Sequence, residues 1–284
     1  MRVTATAPAT VANLGPGFDA FGLALDLCNV VALDTDAAPG ARWEGEGADE
    51  LPTDGSDLVS RTVRAVAGGD ARFGIVGRNA IPLERGLGSS AAAVVAGVLL
   101  GGALAGRDLA PDEVLAIAAR IEGHPDNAAA AVHGGFTIVA GATVVALAVD
   151  PAIVPVALVP EAARTSTAAA RAALPATVPL ADAAEGAARA ALVPLALTDA
   201  PELLAEALAD RIHQDARLAL HPASRARFDA LRAAGIPVCV AGSGPSLLAF
   251  EVAGRAVPDP GPGWRAVRAG VRATGARAEV DGPR

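Results

Sequence analysis

With 284 residues, 52% of them hydrophobic, the chain is long enough for one large or two ordinary domains and too apolar to be disordered. A formal charge of -8, 3% aromatic residues and no Tyr argue against nucleic-acid modules, which need a basic face or stacking rings. All 23 basic residues are Arg, and the absence of Lys excludes common P-loop NTPases, protein-kinase chemistry with its strand Lys, and Schiff-base mechanisms.

Val3 to Ala7 alternates as a strand would. Pro8 to Asp19 reads as a polar loop punctuated by Gly and Pro, followed by Phe21 to Leu27 and a strand over Val30 to Asp34. The stretch Ala37 to Asp57 carries Pro39, Gly40, Gly45, Gly47, Pro52 and Gly55 and predicts hairpins and turns, with Asp57 capping a helix to about Val66. Phe73 to Val76 predicts a strand, Ala91 to Ala105 a helix, and Asp112 to Ile121 another with Pro111 at its start. Thr137 to Val149 reads as a hairpin turning near Gly141, and Ile153 to Val159 as a strand. A boundary near Asp150-Pro151 would divide the chain into two similar halves.

Helices are expected at about 181 to 192, from Asp199 to about Arg211, and from Pro222 to Ala234. Strands Ile236 to Ala241 and Leu247 to Val252 flank a Gly-rich loop, Gly242 to Ser246. An amphipathic packing helix is expected over Trp264 to Arg272, with Trp264, Val267 and Val271 on one face, and a last strand near Ala276 to Val280. Mixed β and α elements in both halves argue for an α/β or α+β protein.

Cys28 and Cys239 lie far apart with no metal spacing, and buried thiols are expected. Asn13, Gly15, Pro16, Gly17 and Asp19 interrupt any signal-peptide core, and Ala91 to Ala105 is too short to span a bilayer. A cytoplasmic protein with no membrane partner is therefore expected.

The segment most able to carry chemistry is Pro82-Leu-Glu-Arg-Gly-Leu-Gly-Ser-Ser-Ala-Ala92. Its glycines let backbone approach a ligand, and the helix behind it would aim unpaired N–H groups at an anion. The alternative is a tight strand-to-helix turn capped by Ser89 or Ser90. Three further loops gather polar residues: Pro8 to Asp19, Glu122-Gly-His-Pro-Asp-Asn127 followed by Gly134-Gly135, and Ala241-Gly-Ser-Gly-Pro-Ser246. Several such loops in one chain point to a shared site.

Together these residues resemble the GHMP kinase superfamily (galacto-, homoserine, mevalonate and phosphomevalonate kinases) over nearly the whole chain. Pro8 to Asp19, Pro82 to Ala92 and Val240 to Leu248 stand in the order of its three signature regions. Ala12-Asn-Leu-Gly-Pro-Gly-Phe-Asp19 with Glu122-Gly-His-Pro-Asp-Asn127 resembles its homoserine kinase branch. The resemblance implies an α+β fold of two domains. Residues 1–150 would form an ATP-binding domain like the second domain of ribosomal protein S5, with a left-handed βαβ unit that general rules would not suggest, and 151–284 a ferredoxin-like domain.

The resemblance also implies ATP and Mg2+ as cofactors and L-homoserine as the small-molecule substrate. Pro82, Leu83, Glu84, Arg85, Gly86, Leu87, Gly88, Ser89, Ser90, Ala91 and Ala92 would form the nucleotide loop. Ser90 and Glu122 would hold the metal, although by themselves they read as a helix cap and a helix end. By similarity Asp19 would take the substrate's ammonium group, and Arg171 with Arg217 its carboxylate; among 23 Arg, either could equally be a solvated helix face. Asn13 would lie near the reacting hydroxyl, His124 near the amino-acid end, and Thr167 near the transferred phosphoryl group. Asn127 stands where some relatives place an Asp base, so catalysis without a dedicated base is expected, with positioning and charge neutralisation sufficing. The remaining His133, His213 and His221 read as structural.

Two positions depart from the pattern: Val11 stands where relatives commonly carry Ser or Thr, and Asp57 where Asn often faces the adenine. The rivals are a GHMP kinase for another small alcohol such as mevalonate and an inactive GHMP-fold binding protein. Family members are often dimers, which makes a homodimer an expectation here.

Overall fold

Buried Val3, Ala5 and Ala7 alternate with more accessible neighbours, so the chain opens as a strand, β1 (Arg2–Ala12), paired antiparallel with the long β2 (Phe21–Asp34). The computed structural model describes residues 1–280; residues 281–284 of the expected second domain lie outside the described residues. β1 continues past Ala7 into the segment expected as a loop. Its register shifts between Pro8, opposite Cys28, and Ala9, opposite Leu25, so Asp26 and Leu27 bulge out of β2. A bulge is where a residue lacking an N–H is tolerated, and the two stretches expected on either side of it form one strand.

β2 is long enough to branch. Val30–Asp34 pairs with β4 (Gly74–Asn79), while Phe21–Leu23 pairs with β5 (Phe136–Ala140), which turns into β6 (Thr143–Leu147). The Gly-rich stretch expected as turns contains β3 (Gly40–Gly45), parallel to β4 and joined to it through α1 (Leu58–Ala67). Trp43 anchors it, nearly buried, with its indole N–H donating to the Pro52 carbonyl at 2.9 Å. β11 (Arg277–Val280) returns from the far end of the chain to pair with β1.

Against this seven-stranded sheet pack α2 (Ser89–Leu104), α3 (Pro111–Glu122) and α4 (Asp126–His133). α2 is apolar all round because sheet and helices enclose it. No helix among the described residues is long and apolar enough to cross a membrane.

A second, four-stranded sheet has the order β10-β7-β9-β8, from β7 (Val154–Pro160), β8 (Val238–Val240), β9 (Leu247–Glu251) and β10 (Trp264–Val267). β9 lies antiparallel between β7 and β8, the split arrangement of ferredoxin-like folds. Residue alternation gives both faces apolar partners. Val156, Leu158, Leu247 and Ala249 join Phe228 and Leu231 on one side, while Ala157, Val159, Leu248 and Phe250 join the core of the first sheet.

Between β7 and β8 run α5 (Thr167–Ala172), α6 (Leu180–Thr198), a 3-10 turn (Pro201–Leu203), α7 (Leu204–Ala207), α8 (Gln214–Ala219) and α9 (Pro222–Ala233). The single helix expected from Asp199 to Arg211 is thus broken. Its helical part stops at Ala207, and three residues on the Asp210 carboxylate accepts from Ile212, His213 and Gln214 N–H at 2.8–3.1 Å, which leads into α8.

The helix expected over Trp264 to Arg272 is also corrected. Trp264 to Val267 is strand β10, paired with Ala157 to Pro160, with Trp264 and Ala266 packed on the second core. On the strand Trp264 and Val267, three residues apart, face opposite cores, Trp264 with Ala266 on the second and Val267 on the first, so the helical spacing gives way to the free edge of β7.

Candidate active site

Gly88, in the left-handed region at φ 68°, precedes α2 and offers no side chain to cap it, and the first turn carries no acidic residue. The leading N–H groups of a long helix are therefore left without side-chain acceptors. α2 begins at Ser89, earlier than the expected Ala91, which places both serines on its first turn. A Cβ on Gly86 would overlap the Ala241 carbonyl, and one on Gly88 the Thr10 hydroxyl, so both glycines are required by close approach. The Thr10 N–H donates to the Leu87 carbonyl at 3.1 Å, holding the loop on β1.

Ser90 does not cap its helix. Its hydroxyl donates to Glu122 Oε1 at 2.7 Å, where α3 ends before left-handed Gly123. Neighbouring oxygens around octahedral Mg2+ lie about 3 Å apart, so this pair fits two of its positions after a shift of a few tenths of an ångström. Among the described residues no group of three or more His, Cys, Asp or Glu could hold a metal ion.

α4 opens beside this pair. Buried Asp126 accepts from the Asn127 N–H at 2.7 Å and bonds His124 Nδ1 at 3.1 Å. That carboxylate hydrogen bond raises the His124 pKa against the opposing effect of burial. Asn127 Oδ1 accepts from the Thr10 hydroxyl at 2.8 Å, which fixes the amide's orientation.

Asp19 and Arg171 face these groups, joined by two hydrogen bonds of 2.8 and 3.0 Å. Asn13, in the left-handed region at φ 75°, ties this corner together. Its Oδ1 accepts from the Asp19 N–H, and its Nδ2 donates to the Gly242 carbonyl at 3.0 Å. Arg217 is buried, donating from one terminal nitrogen to Gly242 O at 2.6 Å and to His213 Nδ1 at 3.2 Å. Desolvation pulls its pKa down to about 10. His213 completes the chain by donating from Nε2 to Gly15 O at 2.8 Å; desolvation lowers its pKa to about 4, and it is neutral.

The structure brings Asn13, Asp19, Ser90, Glu122, His124, Asn127, Thr167, Arg171 and Arg217 onto one cleft. Most of the Pro82–Ala92 loop lines it too, with exceptions. Ala92 is buried in the core and Leu83 faces neighbouring cavities, whereas Arg85 does line the cleft but commits its guanidinium to the carbonyls of Leu83, Pro160 and Glu161, stapling the loop to β7. An adjoining cavity shares Ser89 and Ser90 and is lined by Val31, Trp43, Leu51 and Asp57. Asp57 caps α1, accepting from Ser60 N–H at 2.9 Å. Val11 is fully buried in the core and does not line the cleft, so its departure from the family pattern removes no polar contact there.

Sequence reasoning assigned no role to Thr10, Phe18, Asp126 or Thr165. The first three sit inside segments already singled out. Thr165 gave no separate signal; it enters the cleft because its N–H donates to Glu84 O at 3.1 Å, and its hydroxyl meets His221 Nε2.

A family model, the GHMP kinases N terminal domain, matches residues 57–135. The homoserine kinase of Streptomyces avermitilis is 45% identical, covering 95% of this chain and 93% of that protein. That of Rhodococcus opacus is 43% identical, covering 88% and 87%. Among solved structures, the homoserine kinase from Cytophaga hutchinsonii superposes with a TM-score of 0.82 at 28% identity, covering 98% of this chain and 97% of that one. A mevalonate kinase, at 13% identity and a TM-score of 0.62 over 87% of this chain and 90% of its own, shares the fold alone.

Proposed function

The chain belongs to the homoserine kinases of the GHMP kinase superfamily and uses ATP, and we propose how its cleft phosphorylates the side-chain hydroxyl of L-homoserine, giving O-phospho-L-homoserine and ADP on the way to threonine. The observation that carries this reading is one cleft holding free helix-terminal amides, the Ser90–Glu122 oxygen pair and the charge set Asp19, Arg171 and Arg217.

The amides from Gly86 to Ser90 hold the nucleotide phosphates, and the apolar cavity beside Trp43 takes the nucleoside. Ser90 Oγ and Glu122 Oε1 are the protein oxygens that hold Mg2+, which when bound neutralises charge developing on the phosphoryl oxygens. Arg85 is committed to backbone carbonyls, so its charge is not free to replace that of the metal. Asp19 takes the ammonium group of homoserine, Arg171 and Arg217 its carboxylate, and a remaining Asn13 N–H reaches the acceptor hydroxyl. Asn127 and Thr167 line the path between hydroxyl and phosphate, with His124 at the amino-acid end. Asn127 is no base, and Asp126 is already engaged by His124 and the Asn127 N–H, so rate comes from alignment in a loose transition state.

The same reading places the enzyme in the cytoplasm, where the free thiols of Cys28 and Cys239 suit a reducing compartment, as a homodimer that light scattering checks. Coupled ADP release from purified protein tests the function: turnover with homoserine, ATP and Mg2+ is expected, and its absence from folded protein sinks the reading. Ser90→Ala and Glu122→Gln are each expected to lower kcat about 100-fold and to raise the Mg2+ concentration needed for half-maximal rate.

A further inference from the structure

Phe18, half-buried in the loop after β1, gathers groups from separate segments. The Arg171 guanidinium carbon, from α5, lies 5.7 Å from its ring centroid, and that of Arg217, from α8, lies 5.4 Å away. The neutral His213 ring stands 5.3 Å off, tilted 32°. The two guanidinium groups repel each other, and without a counterweight the flexible, half-exposed Arg171 would drift toward solvent.

In this structure the counterweight is double: the Asp19 carboxylate and the face of Phe18. They differ in what they leave free. Asp19 occupies two N–H donors of Arg171, the donors a substrate carboxylate would need. An aromatic ring attracts a cation through its quadrupole and takes up no donor. When a zwitterionic substrate enters, its ammonium group replaces Arg171 on Asp19 while its carboxylate replaces Asp19 on Arg171. Charge stays balanced through this exchange only if the guanidinium group keeps its place.

We propose that Phe18 is the positioning residue for the substrate's carboxylate: its ring keeps Arg171 and Arg217 side by side with their donors free while the amino acid exchanges into the Asp19–Arg171 pair. His213 supports the arrangement from behind, accepting from Arg217 at Nδ1 and anchored through Nε2 to Gly15 O. The inference rests on homoserine as substrate, since an alcohol without a carboxylate would have no use for the paired arginines.

Steady-state kinetics of Phe18→Leu and Phe18→Trp test it. Phe18→Leu is expected to raise KM for homoserine about tenfold, with kcat within about twofold, while Phe18→Trp stays near wild type because indole attracts cations at least as well. The Kd for ATP, read by calorimetry, is expected not to move. In an Arg171→Met background the same Phe18→Leu change is expected to cost clearly less in KM, because one of its two cations is gone. Equal KM effects in both backgrounds, a fall in kcat with KM unchanged, or Phe18→Trp behaving like Phe18→Leu would each overturn the proposal. If Phe18→Leu does not fold, Phe18→Met against Phe18→Trp makes the same comparison. Failure of wild-type protein to phosphorylate homoserine would sink the substrate reading itself, whereas an active wild type with an unaltered KM in Phe18→Leu sinks only the role of the ring.

Discussion

At His213, burial removes water that a charged imidazole would need and outweighs the buried Asp210 carboxylate 3.8 Å away, which favours the charged form. Arg217 donates to Nδ1 and leaves that nitrogen no room for a proton. With the folded pKa near 4 and the ordinary value at 6.5, the unfolded chain binds the extra proton first as pH falls. Stability should therefore decline between about pH 6.5 and 4, by about 3 kcal/mol from this group. Urea midpoints across that range should show the slope, and His213→Asn should flatten it. His124 has the opposite sign, because the Asp126 carboxylate raises its pKa. Its contribution is full below 6.5 and lost as pH rises through the higher folded value, so His124→Gln should cost about 1 kcal/mol at pH 6 and less at pH 9. Neither sign was legible in the sequence, where both residues are polar His in loop-like stretches. Asp19, by contrast, was marked as a site residue by its motif, but its bond to Arg171 is a product of folding.

The nucleotide loop is the element most legible in the sequence, because its glycines answer a local demand. Gly88 sits at φ 68° with the Thr10 hydroxyl where a side chain would go. Gly88→Ala should cost about 1–3 kcal/mol in stability and weaken ATP binding about tenfold or more, checked by thermal unfolding and calorimetry. Elements whose identity depends on a neighbour were misread. β10 is a strand because β7 offers it an edge, and the helix expected from Asp199 stops at Ala207, after which Asp210 gathers the N–H groups that open the next. α4 went unmarked because its four consecutive alanines carry no apolar period, yet it supplies Asp126 and Asn127 to the cleft.

Across the whole molecule, the two sheets share one apolar core, with Leu248 and Phe250 of β9 in the same cluster as Leu23 and Phe136 of the first sheet. We propose the division near Asp150-Pro151 as a change of sheet, since β7 opens the second one at Val154, while β11 returns to β1 and Arg85 ties the nucleotide loop to Pro160 and Glu161. A fragment of residues 1–150 would expose the part of that core that Ala157, Val159, Leu248 and Phe250 cover, and the edge of β1. It should unfold without a cooperative transition in urea, followed by circular dichroism, and should lack measurable homoserine binding because Arg171, Arg217 and Gly242 are gone.

The sequence by itself determined what is enforced locally: the left-handed turns of the nucleotide loop, the apolar α2 behind it, the exclusion of lysine-based chemistry, and motifs sufficient to mark the cleft-lining loops. Only the tertiary structure decided which oxygens and charges meet. Ser90 reaches Glu122 rather than capping its helix, Arg85 serves backbone carbonyls, and Phe18 lies against two arginines. Hydrogen bonds and cation–π contacts act over a few ångströms between residues far apart in the chain, and their partners exist only once the two sheets have closed on a common core.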